Sequence, residues 1–266
     1  MRSIRTLLIL LSIIAAVVIA VFVLTVTGDD QPDSAQPPAQ SGQPTTTAMP
    51  PTTPAAAPPP TVDMFGNRLE VPVEEAGAVL PQIIEERIEP TRSDFLTAAP
   101  ARLQWQRIWD GAAVPVSGSD GPARIDAGVA AGFAHTPQGA ALAAMDAIGR
   151  VYAAPAPVWR EVVGERFYGA TDALVDRFAR SRAETPGVAR YVTVPEGVRI
   201  QPGYRDDLAV VQLAVRSKTG YAIATWPMVW VDGDWRVRVP DEIESLWRPA
   251  APASSVIGFG DWKARS

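Results

Sequence analysis

The chain has 266 residues, 26 of them proline, with 24 basic and 29 acidic side chains, one histidine and no cysteine. The lack of cysteine excludes disulfides, thiolate metal sites and thiol nucleophiles, and a single histidine excludes a multi-histidine metal centre. A sequence isoelectric point of about 5.0 argues against a general nucleic-acid binder, so we expect no nucleic-acid partner, no metal and no cofactor.

The N-terminal region predicts a membrane anchor. Residues 7–26 form an uncharged, apolar run, long enough for a helix to cross the roughly 30 Å hydrocarbon core of a bilayer. Arg2 and Arg5 precede the run, and Asp29 and Asp30 follow it. Residues 1–28 then comprise a short cytoplasmic tip and the transmembrane anchor, and the positive-inside rule places the rest of the chain outside the cytoplasm. A cleaved signal peptide is the alternative, but the run is long for one and lacks a small-residue cleavage site.

A tether and a transitional segment follow the anchor. Residues 29–61 are rich in Pro, Thr, Ala and Gln and poor in large apolar side chains, which predicts a disordered linker. Residues 62–101 are divided by four prolines, and a short amphipathic helix over 79–87 is the one element expected there. This segment packs either on the following domain or on a partner.

Residues 102–249 predict a folded α+β domain. Short strands around Trp105 and over 114–116 precede a helix over 137–152, with Thr136 as N-cap and Pro137 in the first turn. A second helix carries Trp159, and a third follows Thr171. Strands are then expected over 191–200, 208–216, 221–231 and 235–239, with Pro227 at an edge or bulge. Asp232-Gly233-Asp234 predicts a tight, solvated hairpin turn.

This arrangement resembles known proteins. Three helices followed by long strands and an Asp-Gly-Asp-Trp hairpin look like the cone-shaped NTF2-like fold. With an anchor and a linker, the chain is similar to inner-membrane scaffold subunits of type IV secretion and Gram-positive conjugation systems. The stretches 114–117, 121–122 and 132–140 resemble uncharacterised membrane-anchored actinobacterial proteins, and arginine far outnumbers lysine, as in a high-GC genome. The resemblance covers 102–240 and implies scaffolding or assembly, with no catalytic residue to carry over.

Two groups of residues are candidates for binding. His135, Tyr152 and Trp159 are expected near the mouth of a ligand pocket inside the cone. Gly139, Ala143 and Ala147 form a small-residue helix face, and Phe259 and Trp262 lie in the C-terminal tail, 250–266; these five are candidates for a protein interface. The other interpretation of His135 is that it packs at the helix entry and bonds a backbone carbonyl. The other interpretation of the tail is that it docks on its own domain.

Three functions fit the sequence. The first is a single-pass, extracytoplasmic scaffold of a secretion or conjugative transfer apparatus, with protein partners in a membrane complex or as a homo-oligomer. The second is a small-ligand-binding module of NTF2-like fold. The third is an enzyme of that fold, which requires His135 to act with a carboxylate such as Asp146 or Glu161. No hydrolase or nucleotide-binding motif is present, so we expect no enzymatic activity.

Overall fold

The computed structural model describes residues 58–109 and 111–263 of the chain. The predicted membrane anchor (7–26) and the linker up to residue 57 lie outside the described residues. Within the described part, no helix combines the length and the apolar character needed to cross a bilayer. The fold class predicted for the remainder is confirmed at the level of a mixed α+β domain with three α-helices and a central sheet.

The three α-helices follow one another closely: α1 is Pro137–Ala153, α2 is Val158–Arg166 and α3 is Asp172–Glu184. The prediction for α1 is confirmed to within one residue. The Thr136 hydroxyl accepts a hydrogen bond from the Gly139 N–H at 2.9 Å, which satisfies one of the free donors of the first turn. Thr171 stands at the N-cap of α3 as predicted, although its side chain makes no capping bond.

The twelve strands are short except for two. They are β1 Thr61–Val62, β2 Arg68–Leu69, β3 Gln104–Ile108, β4 Ala112–Val116, β5 Arg124–Asp126, β6 Val129–Ala131, β7 Phe167–Tyr168, β8 Gly197–Ile200, β9 Leu208–Ser217, β10 Gly220–Val231, β11 Asp234–Arg238 and β12 Ala251–Ala253. The main sheet has the order β7-β11-β10-β9-β8, with β12 also pairing with β10. Its neighbours are antiparallel except for β7 and β11.

The long strand β10 shows why Pro227 is tolerated within a sheet. Strand β9 pairs with β10 along one side, whereas β12 reaches only Ile223 on the other side and β11 begins only at Met228. Residues 224–227 therefore form a local edge, where a missing N–H costs no ladder bond. The tight hairpin is also confirmed, since Asp232 and Gly233 connect β10 to β11 with φ values of 54° and 78°.

Helix α1 is the centre of the core, in contact with β4, α2, β11 and β9. Its small-residue face is not a partner surface, which corrects the interface prediction. Gly139, Ala143 and Ala147 are buried within their own domain. A Cβ on Gly139 would lie 2.0 Å from the Ala134 carbonyl oxygen, so this glycine permits the close approach of the helix to the preceding loop. The small side chains serve intramolecular packing.

Residues 62–101 belong to the domain rather than to a separate transitional segment. The Glu70 N–H donates to the Trp105 carbonyl at 2.8 Å, and the Ile200 N–H donates to the Leu96 carbonyl at 2.9 Å. The predicted helix over 79–87 shortens to a 3₁₀ helix, Ile84–Glu86. The linker prediction also ends too late, because Thr61 already pairs with Leu69 in β1–β2.

The region before β8 differs from the sequence prediction. Instead of a strand from residue 191, the chain forms a 3₁₀ helix, Val188–Tyr191, and then an irregular segment up to Glu196. The Val192 carbonyl accepts a hydrogen bond from the Ala113 N–H at 2.8 Å. The backbone at Val192 therefore joins the β3–β4 hairpin rather than extending β8 in the main sheet.

The C-terminal tail docks on its own domain, which corrects the prediction that it anchors in a partner. Gly260 and Val198 exchange backbone hydrogen bonds, and the Trp262 side chain is fully buried. Phe259 is half-buried, with the Arg199 guanidinium 4.3 Å from its ring centroid. Lys263 forms an ion pair with Glu196 at 2.7 Å. Burial acts to raise the pKa of Glu196, but hydrogen bonds from Lys263 and Arg216 outweigh it and lower that pKa.

Candidate functional site

An apolar cavity of about 310 Å³ lies between α1 and the main sheet. From α1, Met145, Ile148 and Tyr152 line it, because their spacing of three and four residues places them on one helix face. From the sheet, alternate residues of β9 and β10 line it: Leu213, Val215, Ala222, Ala224 and Trp226. The register pairs Ala222 with Val215 and Ala224 with Leu213, so these side chains share one face.

The cavity exists because the small side chains of Ala222 and Ala224 leave space between the sheet and α1. Near them on the same face, Val211 and Met228 are fully buried. Trp226, by contrast, stays half-buried in the cavity wall.

Two irregular segments complete the wall. One is 188–195, which contributes Val188, Tyr191, Val192, Thr193 and Pro195; the other is the 3₁₀ helix Ile243–Trp247 with the residues that follow it. The second segment is held to α3 by polar contacts. The Arg177 Nε donates to Glu244 at 3.0 Å, and the Ser181 hydroxyl accepts from Trp247 Nε1 at 3.0 Å. Arg177 also lies 4.4 Å from the Trp247 ring centroid.

Two polar groups belong to this apolar wall. Burial raises the pKa of Tyr152, although hydrogen bonds with Trp247 and Ser181 act in the opposite direction, so its hydroxyl is neutral at physiological pH. Thr193 is 8% exposed, and its hydroxyl has no hydrogen-bond partner among the described residues. A buried hydroxyl without a partner costs about 1–3 kcal/mol.

Of the three predicted pocket residues, only Tyr152 lines this cavity. His135 lies outside it: the imidazole stacks on Trp230 with 3.9 Å between ring centroids, and Nε2 contacts the Asp206 carbonyl oxygen. The structural alternative for His135, packing at the helix entry with a bond to a backbone carbonyl, is the one observed. The pocket assignment of His135 is corrected accordingly.

Trp159 also lies outside the apolar cavity, because its side chain is buried in the core. Two arginines flank its ring: the guanidinium carbon of Arg160 is 4.4 Å from the ring centroid, and that of Arg182 is 5.4 Å from it. Arg182 donates to the carbonyl oxygens of Val151 and Ala154 at the C-terminus of α1. Such contacts satisfy carbonyls that have no intrahelical partner.

A second cavity of about 520 Å³ adjoins the first, with Tyr152 and Val188 in the walls of both. Its lining is different in character: Trp109, Gly111, Ala153, Arg182 and the turn from Gly187 to Arg190 complete it. It thus brings two arginine side chains and a 3₁₀ turn to one end of an otherwise apolar site.

Two ion pairs are buried in the core of the domain. Asp146 and Arg150 are both 0% exposed and pair at 2.8 Å, and the Arg150 Nη1 also donates to the carbonyls of Ala76 and Gly128. Asp146 is therefore paired with Arg150 rather than with His135, whose Nε2 contacts the Asp206 carbonyl oxygen. Asp234, predicted to lie in a solvated turn, is instead buried and pairs with Arg166 at 2.7 Å.

Over residues 58–109 and 111–263, no three metal-ligating side chains of His, Cys, Asp or Glu cluster together. The sequence model of a domain family of unknown function, DUF8175, matches residues 70–261. The chain belongs to this family. No curated protein and no solved structure matches the chain. The DUF8175 match includes both cavities, the segment before residue 102 and most of the docked tail, in agreement with their packing as one domain.

Proposed function

We propose that this DUF8175 domain binds an apolar small molecule in the cavity between α1 and the β9–β10 face. The supporting observation is the lining of that cavity, which consists of aliphatic and aromatic side chains with few polar groups. Its volume of about 310 Å³ lies at the lower end of the roughly 300–1,000 Å³ typical of small-molecule sites.

We further propose that the domain has the NTF2-like form and acts outside the cytoplasm, tethered by the anchor at 7–26 and the linker. Three helices preceding a mostly antiparallel sheet, with a cavity enclosed between them, support the cone-like form. The uncharged run and the basic residues before it support the anchored location. Protease digestion of intact cells or spheroplasts tests the location: the domain should be cleaved while a cytoplasmic marker is spared.

Filling the cavity is expected to weaken binding of an apolar probe. In Ala224→Phe, the added ring occupies the space between β10 and α1, whereas Thr225→Phe adds the same ring to the exposed face of the strand. Excluding two methylene groups of a ligand removes about 1.6 kcal/mol of transfer free energy, so affinity should fall at least about tenfold. Thr225→Phe should bind as the wild type does.

The measurement uses the full chain in phosphatidylcholine nanodiscs with a tryptophan-free scaffold protein. The probe is ω-bromodecanol, whose bromine quenches tryptophan on contact, and Trp105, Trp226 and Trp247 line the cavity. Saturable quenching in the wild type and in Thr225→Phe, but not in Ala224→Phe, supports the proposal. Equal quenching in all three reports partition into lipid and overturns it. Thermal unfolding of each variant shows that the domain remains folded.

A scaffold role in a secretion or conjugative transfer complex is the second candidate. Exposed apolar side chains cluster along the segment that directly follows the tether, at Val62, Val73 and Ile84. Such side chains suit a partner in the same membrane complex, including a second copy of the chain. Crosslinking in the native membrane from position 84 tests this role. Capture of a channel or ATPase subunit supports it, and capture of nothing at that position counts against it.

A further inference from the structure

Arg182 and Arg190 line the second cavity without a carboxylate partner. Many arginines in the described residues pair with a carboxylate within 4.0 Å, as Arg68, Arg150 and Arg216 do. Over residues 58–109 and 111–263, a smaller group forms no such pair; it includes Arg182 and Arg190, together with Arg87, Arg160, Arg180, Arg199 and Arg238. Within this smaller group, Arg182 and Arg190 lie together in the wall of one cavity.

The two cavities are adjacent and share part of their walls. Tyr152 and Val188 line both, so a molecule that fills the apolar cavity ends beside the cavity that Arg182 and Arg190 line. Arg182 is held in place by its bonds to the Val151 and Ala154 carbonyls, and Arg190 by a 3.2 Å bond from its Nε to the Gly187 carbonyl. Guanidinium groups fixed in this way are suited to carboxylate and phosphate oxygens.

We infer that the ligand is an amphipathic anion: its apolar chain fills the cavity between α1 and the β9–β10 face, and its anionic head lies between Arg182 and Arg190. This rests on the proposed function and specifies the chemistry of its ligand. The polar residue Tyr152 at the junction fits such a molecule, because it lies in the wall that the two cavities share.

The electrostatics of the junction agree with this assignment. Burial, and then repulsion from Arg160, lower the pKa of Arg182. An anionic head would offset both effects by placing an opposite charge beside the guanidinium. The raised pKa of Tyr152 keeps its hydroxyl neutral, so it adds no negative charge that would repel an anion.

A matched pair of probes separates this inference from the proposed function. The full chain in phosphatidylcholine nanodiscs is titrated with ω-bromodecanol and with ω-bromodecanoate at pH 8, where the carboxylate is ionised. The wild type should bind the acid at least tenfold more tightly than the alcohol. In Arg182→Gln/Arg190→Gln that preference should disappear while affinity for the alcohol is unchanged. The control, Arg180→Gln/Arg238→Gln, removes the same charge from exposed positions and should keep the preference.

Arg182 also holds the end of α1, so a single exposed substitution keeps the test independent of folding. Arg190→Gln alone should reduce the preference for the acid about threefold or more. If the wild type binds acid and alcohol equally, or if Arg190→Gln and the double variant keep the preference, the inference is wrong and the proposed function stands. If neither probe binds, both fall.

The anion has two possible sources, a soluble amphiphile or a lipid of the bilayer, and a second arm distinguishes them. Replacing part of the phosphatidylcholine with phosphatidylglycerol supplies an anionic lipid to the tethered domain. A weakened apparent affinity for both ω-bromodecanoate and the uncharged ω-bromodecanol identifies the lipid as a competitor for the site. Unchanged affinity identifies the soluble amphiphile. Either result requires the acid preference that the inference predicts.

Discussion

Replacing Trp262 with alanine is expected to lower the free energy of unfolding by about 3–5 kcal/mol. The side chain is fully buried, its Nε1 donates to the Thr97 carbonyl at 2.9 Å, and its own carbonyl accepts from Trp105 Nε1 at 2.7 Å. Neighbouring Gly260 lets the tail approach the Thr97 carbonyl closely, since a Cβ there would lie 1.7 Å from the carbonyl oxygen. Pulse proteolysis of the full chain in urea measures the change.

Ile257 provides the control within the same tail. Its side chain is 88% exposed, so Ile257→Ala should change the free energy of unfolding by no more than about 0.5 kcal/mol. If the tail instead anchored in a partner, Trp262→Ala would leave the stability of the purified chain unchanged. Ile257→Ala would then reduce capture of the partner more than Trp262→Ala does. Unchanged stability of that variant would therefore contradict the docking described above.

The second large effect is expected from the buried ion pair between Asp146 and Arg150. Arg150→Met leaves the Asp146 carboxylate buried without a counter-charge, and breaking such a pair costs about 3–5 kcal/mol. The substitution also removes donors from the carbonyls of Ala76 and Gly128. The same pulse-proteolysis measurement compares the variant with the wild type.

The double variant Asp146→Leu/Arg150→Met removes both charges and distinguishes charge from packing. Because apolar residues replace buried ion pairs at little cost, it should recover most of the stability lost by the single substitution. If the double variant is as unstable as Arg150→Met, the loss comes from the Arg150 contacts with Ala76 and Gly128 rather than from the stranded carboxylate.

Local signals predicted much of the fold. The start of α1 follows from a capping threonine and a proline in the first turn, and the β10–β11 hairpin from Asp-Gly. The strands over 208–216 and 221–231 were also predicted, and their antiparallel pairing confirms them. A proline within β10 also predicted a local edge. Each of these signals depends on residues close in sequence, so a single sequence reveals it.

The parts that the sequence did not reveal depend on distant contacts. The segment before residue 102 is integrated through bonds such as Glu70 to Trp105, and the imidazole of His135 contacts a carbonyl 71 residues away. The cavity depends on two small side chains, Ala222 and Ala224, that leave space opposite α1, which is distant in sequence. Arg182 and Arg190 were not candidates, because an arginine pattern carries no sign of which members lack a carboxylate in the fold.

Photolabelling with a decanol that carries a diazirine at its chain end tests the central claim, apolar binding in this cavity, most directly. The full chain in nanodiscs is irradiated, and the labelled residues are located by mass spectrometry. We expect adducts within 145–152, 213–226 and 246–250 in the wild type, and their loss in Ala224→Phe. Labelling confined to 7–26, or equal labelling of the cavity residues in both proteins, would contradict the account.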